Sequence, residues 1–165
     1  MRVDDHPTVD VEIRVDAPPD RVWALVCDLG RMGEWSPENL GGSWLDGAQG
    51  PGPGARFRGR NRHEAIGEWE TVAVVERFDE GRVLGWRIGE DPRPGARWSF
   101  EIVPDGDGCL LRQHFELGGG PTGLTPAIER MPDKEERIVA RRIQEHDANM
   151  RATLAGIKRA AESPA

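Results

Sequence analysis

Two histidines stand where an acid or a base could act on a bound molecule. His146 shares a stripe at helical spacing with Val139, Ile143, Met150, Leu154 and Ile157, so its imidazole faces an apolar layer, placed to hold a phenol or exchange a proton. The competing reading is a buried histidine satisfied by one backbone or water partner. His63 ends a sharply alternating run, 55–63, in which Ala55, Phe57, Gly59, Asn61 and His63 share one face and Arg56, Arg58, Arg60 and Arg62 the other. On the apolar face Asn61 and His63 are candidates for fixing the oxygen atoms of a ligand; hydrogen bonds to neighbouring protein groups are the alternative. The arginine row reads as a solvated face opposite Glu68 and Glu70, with an anion-binding stripe as the other reading. Gln113 falls with Leu111, Phe115 and Leu117 on one strand face, either as a ligand contact or as a satisfied core amide.

What the chain lacks narrows the chemistry. It contains no tyrosine, so no phenol is present to polarise a carbonyl, and any cyclisation would fall to His63, His146, an arginine or ordered water. There is no Ser-His-Asp set, no metal-ligand spacing and no phosphate-binding loop, and no metal or cofactor is expected. Glu145 and Asp147 adjoin His146 but lie on other helix faces. Six tryptophans are a larger signal than any single polar group. Trp69, Trp86 and Trp98 fall in strands, and with Phe57, Phe100, Phe115 and Met150 they either wall a pocket for a flat or ring-shaped ligand or fill a core.

These residues need a scaffold, and the hydrophobic periods supply one. Val9, Val11, Ile13 and Val15 alternate as a half-buried strand, 8–16. Pro18-Pro19-Asp20 then opens a helix, 19–28, followed by a short helix or turn near 29–34. Strands are expected at 39–46, 55–63, 68–79, 82–90, 95–104 and 108–117, separated by Gly-, Pro- and Asp-rich turns, and short turns imply antiparallel neighbours. The segment 118–132, rich in Gly and Pro, reads as a mobile connector or a pocket gate. A long helix follows from about 133 to 162. Residues 1–7 and 162–165 read as frayed ends.

This order of elements resembles the helix-grip fold, an α+β architecture in which a curved seven-stranded antiparallel sheet wraps a long C-terminal helix, with two short helices after strand 1. Ala17-Pro18-Pro19-Asp20-Arg21-Val22-Trp23, Met32-Gly33-Glu34-Trp35-Ser36-Pro37, Gly54-Ala55-Arg56-Phe57-Arg58-Gly59-Arg60-Asn61 and Trp69-Glu70-Thr71 are similar to motifs of the SRPBCC (START, Bet v 1-like) superfamily, in its bacterial polyketide cyclase/dehydrase and lipid-transport branch. The resemblance covers about Val9 to Ile157 and implies a single ligand-binding domain over 1–165, with Trp35 near the cavity entrance. It implies binding of a hydrophobic, ring-containing molecule, lipid or polyketide-like, between sheet and helix. An aromatase/cyclase using a pocket histidine or arginine, and a protein-interaction domain using the outer sheet, are the alternatives, because a fold alone does not choose among its functions.

Bulk properties exclude other classes. At 165 residues the chain is one domain, and its net charge of −7 argues against a nucleic-acid surface. No apolar run approaches the roughly 18 residues of a membrane span, so insertion is not expected. Cys27 and Cys109 suit neither a disulfide framework nor a metal site, and a reduced cytoplasmic protein, monomer or homodimer, is expected.

Overall fold

The computed structural model describes residues 1–90 and 92–164. Strand β1 (Thr8–Val15) leads into α1 (Pro19–Cys27), where a proline in the first turn supplies a preset φ, and then into a 3-10 turn, Leu29–Glu34. Strands β2 (Asn39–Trp44), β3 (Arg56–His63), β4 (Gly67–Asp79), β5 (Val83–Ile88), β6 (Ala96–Asp105) and β7 (Gly108–Leu117) follow, then α2 (Thr125–Arg130) and α3 (Glu135–Glu162). One seven-stranded antiparallel sheet results, in the order β1-β7-β6-β5-β4-β3-β2. This is the helix-grip architecture expected from the sequence. Strand ends differ from expectation by a residue or two, as hydrogen-bond boundaries commonly do.

Sheet curvature has local causes. The β4–β5 register shifts between Val75 and Arg77, and β2–β3 between Asn39 and Gly42; such irregularities bend a strand and increase its twist. At Gly42 a Cβ would lie 2.0 Å from the Arg58 carbonyl oxygen, so no larger residue lets β2 close on β3. The register pairs Arg60 with Glu70 and Arg62 with Glu68. Arg58, Arg60 and Arg62 are exposed, so the arginine row faces outward.

Helix α3 crosses the concave face and presents Val139, His146, Met150, Leu154 and Ile157 to it, all buried. No helix among the described residues is long and apolar enough to cross a membrane. Three segments depart from expectation. The connector 118–132 is not irregular throughout: Pro126 starts α2 and Pro132 a 3-10 turn, Pro132–Lys134, because each fixes a helical φ without losing a needed N–H. The N-terminal residues are tied down rather than frayed. Val3–Asp5 form a 3-10 turn, the Val3 N–H donates to Glu135 (3.0 Å), and His6 Nδ1 meets the Leu117 carbonyl (3.1 Å). At the other end α3 continues to Glu162 and the Ser163 N–H bonds Arg159; Ala165 lies outside the described residues.

Candidate functional site

Between α3 and the sheet lies a cavity of about 550 Å³. Period-two alternation builds its floor. Phe57 and Asn61 reach it from β3, Trp69 from β4, Trp86 from β5, Trp98 and Phe100 from β6, and Gln113 and Phe115 from β7. The helix contributes His146 and Met150 at one-turn spacing. The rings contact one another as tilted or edge-on pairs, Trp86 with Phe100 (5.9 Å between centroids) and Trp98 with Phe115 (4.6 Å), arrangements that suit the quadrupole of each ring.

His146 packs against the same aromatic group, 4.2 Å from Phe115 and 5.2 Å from Trp98. Burial, with added repulsion from Arg142 and His63, pushes its pKa down to about 3, so the ring is neutral at physiological pH and carries one donor and one acceptor nitrogen. Gln113 sits between Leu111 and Phe115 on the inward face of β7, and its buried Oε1 has no hydrogen-bond partner. A buried amide oxygen left unpaired costs about 1–3 kcal/mol.

Trp35 and His63 do not border the cavity. Trp35 lies against α3 at Gly156, where a Cβ would come within 2.8 Å of the indole, and the Arg31 guanidinium lies 5.5 Å from the ring centroid. The glycine on the helix face lets the indole approach, and Trp35 thus acts as packing rather than as an entrance residue. His63 ends β3, where the chain turns toward the β3–β4 hairpin. The Ala65 N–H donates to its Nδ1 (3.1 Å), which leaves the ring proton on Nε2 to donate to Glu145 (3.1 Å).

The residues that sequence reasoning missed include a polar cluster bordering the cavity. Arg142 is 8 % exposed and forks onto Glu38 with Nη1 and Nη2 at 2.6 and 2.7 Å, while Nη1 also reaches Glu145 at 3.2 Å. The Asn149 amide donates to Glu38 at 3.0 Å. Burial opposes the charge on Arg142, yet the bonds and fields of Glu38 and Glu145 together outweigh it and raise its pKa. Burial likewise pushes the Glu145 carboxyl up, but Arg141, Arg142 and His63 together hold it below its usual range. Arg142 sits one turn before His146 and one after Val139, so helical spacing places it on the inward stripe; its charge argued for the surface. Leu29 and Met32 of the 3-10 turn, Thr71, Thr153 and the loop residues Pro121 to Leu124 also border the cavity. Thr71 follows the alternation of Trp69 and Ala73, and Thr153 the helical stripe of His146 and Met150, whereas nothing periodic marks the 3-10 and loop residues.

Glu38, His63 and Glu145 bring one potential ligand atom each to within 4.8 Å of one another, a spacing that suits a metal ion. Arg142 already supplies positive charge to both carboxylates, and His63 Nε2 offers a proton there instead of a lone pair. The geometry is that of an ion-pair network fastening α3 to β3 and to the segment before β2. Both cysteines are free, and burial, aided by Glu80, pushes the Cys27 thiol up to about 12, so it is no ready nucleophile.

The fold and its hollow define a helix-grip domain of the SRPBCC superfamily. The chain belongs to the family described as "Polyketide cyclase / dehydrase and lipid transport", which it matches over residues 6–162. Among solved structures it is similar to the Polyketide_cyc-like protein Cgl2372 from Corynebacterium glutamicum, at 31% identity and a TM-score of 0.68, covering 94% of this chain and 91% of that one. The di-domain ARO/CYC BexL from the BE-7585A biosynthetic pathway aligns at 18% identity and a TM-score of 0.69 over 96% of this chain, which spans 51% of BexL. An AHSA1-like protein from Aeromonas hydrophila aligns at 12% identity and a TM-score of 0.59, over 93% and 90% of the two chains. The last two likenesses concern the fold alone. No curated protein is significantly similar to the sequence.

Proposed function

We propose that this protein binds one hydrophobic, ring-containing small molecule in the cavity between the sheet and α3. The observation that carries this reading is an aromatic-walled space of about 550 Å³ bordered by two polar side chains, Gln113, whose Oε1 has no hydrogen-bond partner among the described residues, and His146. Its size falls within the roughly 300–1,000 Å³ of small-molecule sites, and apolar walls with a few placed polar groups are their usual make-up. Membership of a lipid-transport and cyclase family supports it. A domain acting only through its outer surface has no use for such a hollow.

Turnover as an aromatase/cyclase is the second reading, favoured by the printed name of BexL and by the presence of His146 beside Arg142. It ranks second because a histidine with a pKa near 3 is a weak base at neutral pH, and Arg142 is engaged by Glu38. Native mass spectrometry of gently purified protein, compared with its denatured mass, tests the binding reading. A stoichiometric apolar adduct is the expected result, and its identity then directs assays for turnover. Lost turnover with retained binding in His146→Ala would move the cyclase reading to first place. Failure to bind any ring-containing compound in subsequent titrations would contradict both.

A further inference from the structure

We infer that the Glu38–Arg142 pair sets the charge selectivity of the cavity, so that it accepts uncharged ligands bearing hydroxyl or carbonyl groups and rejects carboxylates of the same shape. The inference rests on the binding reading above and specifies its ligand class. Among the described residues bordering the cavity, the charged ones are Glu38, Glu70 and Arg142. An arginine in such a place would normally invite an anion, since its fork matches a carboxylate. Here the fork is occupied: Nη1 and Nη2 engage the two oxygens of Glu38 at 2.6 and 2.7 Å, and Nη1 also meets Glu145. A ligand carboxylate must displace Glu38, stranding a partly buried charge, or sit beside it and meet its repulsion.

Apart from Glu70, which is exposed opposite Arg60, the polar groups that remain unengaged are neutral. The Gln113 amide and the neutral His146 ring each offer a donor and an acceptor; Gln113 Oε1 is buried without a hydrogen bond, and the His146 ring packs on the faces of Phe115 and Trp98. A hydroxyl or carbonyl on an otherwise apolar ring system satisfies such groups without bringing a charge into the hollow. Glu38 is therefore a specificity-determining residue that acts through Arg142, and removing its charge should free the fork for an anion.

The test compares 1-pyrenebutanol with 1-pyrenebutyrate, the same fluorescent ring and chain ending in a hydroxyl or a carboxylate, by equilibrium titration at neutral pH. The wild-type protein is expected to favour the alcohol by about tenfold or more, the scale of one charge-assisted hydrogen bond lost or made. Glu38→Gln should shift that preference toward the butyrate by a similar factor. The double variant Glu38→Gln with Arg142→Gln should lose the shift while still binding the alcohol, which also reports that it folds. Equal affinity of the wild-type protein for the two probes, or an unchanged ratio in a Glu38→Gln protein that binds the alcohol normally, overturns the inference and leaves the binding reading standing. Binding of neither probe by the wild-type protein counts against the binding reading itself, and the inference falls with it.

Discussion

Around α1, Val15, Val22, Val26, Leu84, Ile102, Leu111, Leu154 and Ile157 are each at most 1 % exposed, and none of them borders the cavity. Under the middle of α3, Phe100, Phe115 and Met150 are just as hidden from solvent, yet they border a space of about 550 Å³. One helix and one sheet thus make a solid end and a hollow end. The same burial means different things in the two places, because a close-packed side chain gains dispersion contacts on every side and a cavity wall lacks them on one. Side-chain type follows the division. The fully buried residues of the solid end are aliphatic and need no polar partner, whereas the hollow end mixes aromatic rings with Gln113, His146 and the Arg142–Glu38 pair. The first region is built for stability, and the proposed binding site lies in the second.

The largest effect that could break this comparison comes from truncating the solid end. Leu154→Ala should cost about 3–4 kcal/mol, as for other fully buried leucines, while ligand affinity at permissive temperature stays within about twofold; chemical denaturation and probe titration measure the two. The next concerns pH. The His146 pKa is near 3 in the folded protein against 6.5 in an unfolded chain, so the unfolded state binds the extra proton. Its contribution is whole above about pH 6.5 and is lost progressively as pH falls toward 3, on the order of 2 kcal/mol by about pH 5. His146→Phe should remove that part of the slope, read from denaturant midpoints across pH.

Gly156→Ala sharpens the boundary between the regions. In an exposed helix the change would gain about 1 kcal/mol; here the new methyl meets Trp35 and the expected result is a loss of about 1–2 kcal/mol by thermal unfolding. The smallest effect on stability belongs to Thr71→Phe, which adds volume to the hollow. Its cost should stay below about 1 kcal/mol, and binding of 1-pyrenebutanol should disappear. A large destabilisation there would mean that the hollow end is as tightly packed as the solid one.

Much of the scaffold was legible because its signals are local. Alternation in β3 assigned Phe57 and Asn61 inward and the arginines outward, and the helical stripe brought His146 and Met150 to the same space. The rim was less legible, since it depends on long-range pairing. Glu38 and Arg142 are 104 positions apart, and neither residue carries a local sign of its partner. Alternation also carried His63 inward by one step too many, because a strand end is free to turn toward a helix residue such as Glu145. Trp35 was misplaced for a related reason: the gap that receives it is made by Gly156, and only the folded chain brings them together. The α2 helix is hidden by the Gly-rich segment before it, although Pro126 in its first turn is a usable sign.

Tryptophan indole N–H signals in a proton–nitrogen correlation spectrum, followed during titration with 1-pyrenebutanol, test the division between a solid and a hollow end most directly. Trp69, Trp86 and Trp98 border the cavity, whereas Trp23, Trp35 and Trp44 do not. The account predicts saturable shifts of the first three signals with the second three left in place. Shifts confined to Trp23, Trp35 or Trp44, with the cavity tryptophans unmoved, would contradict it.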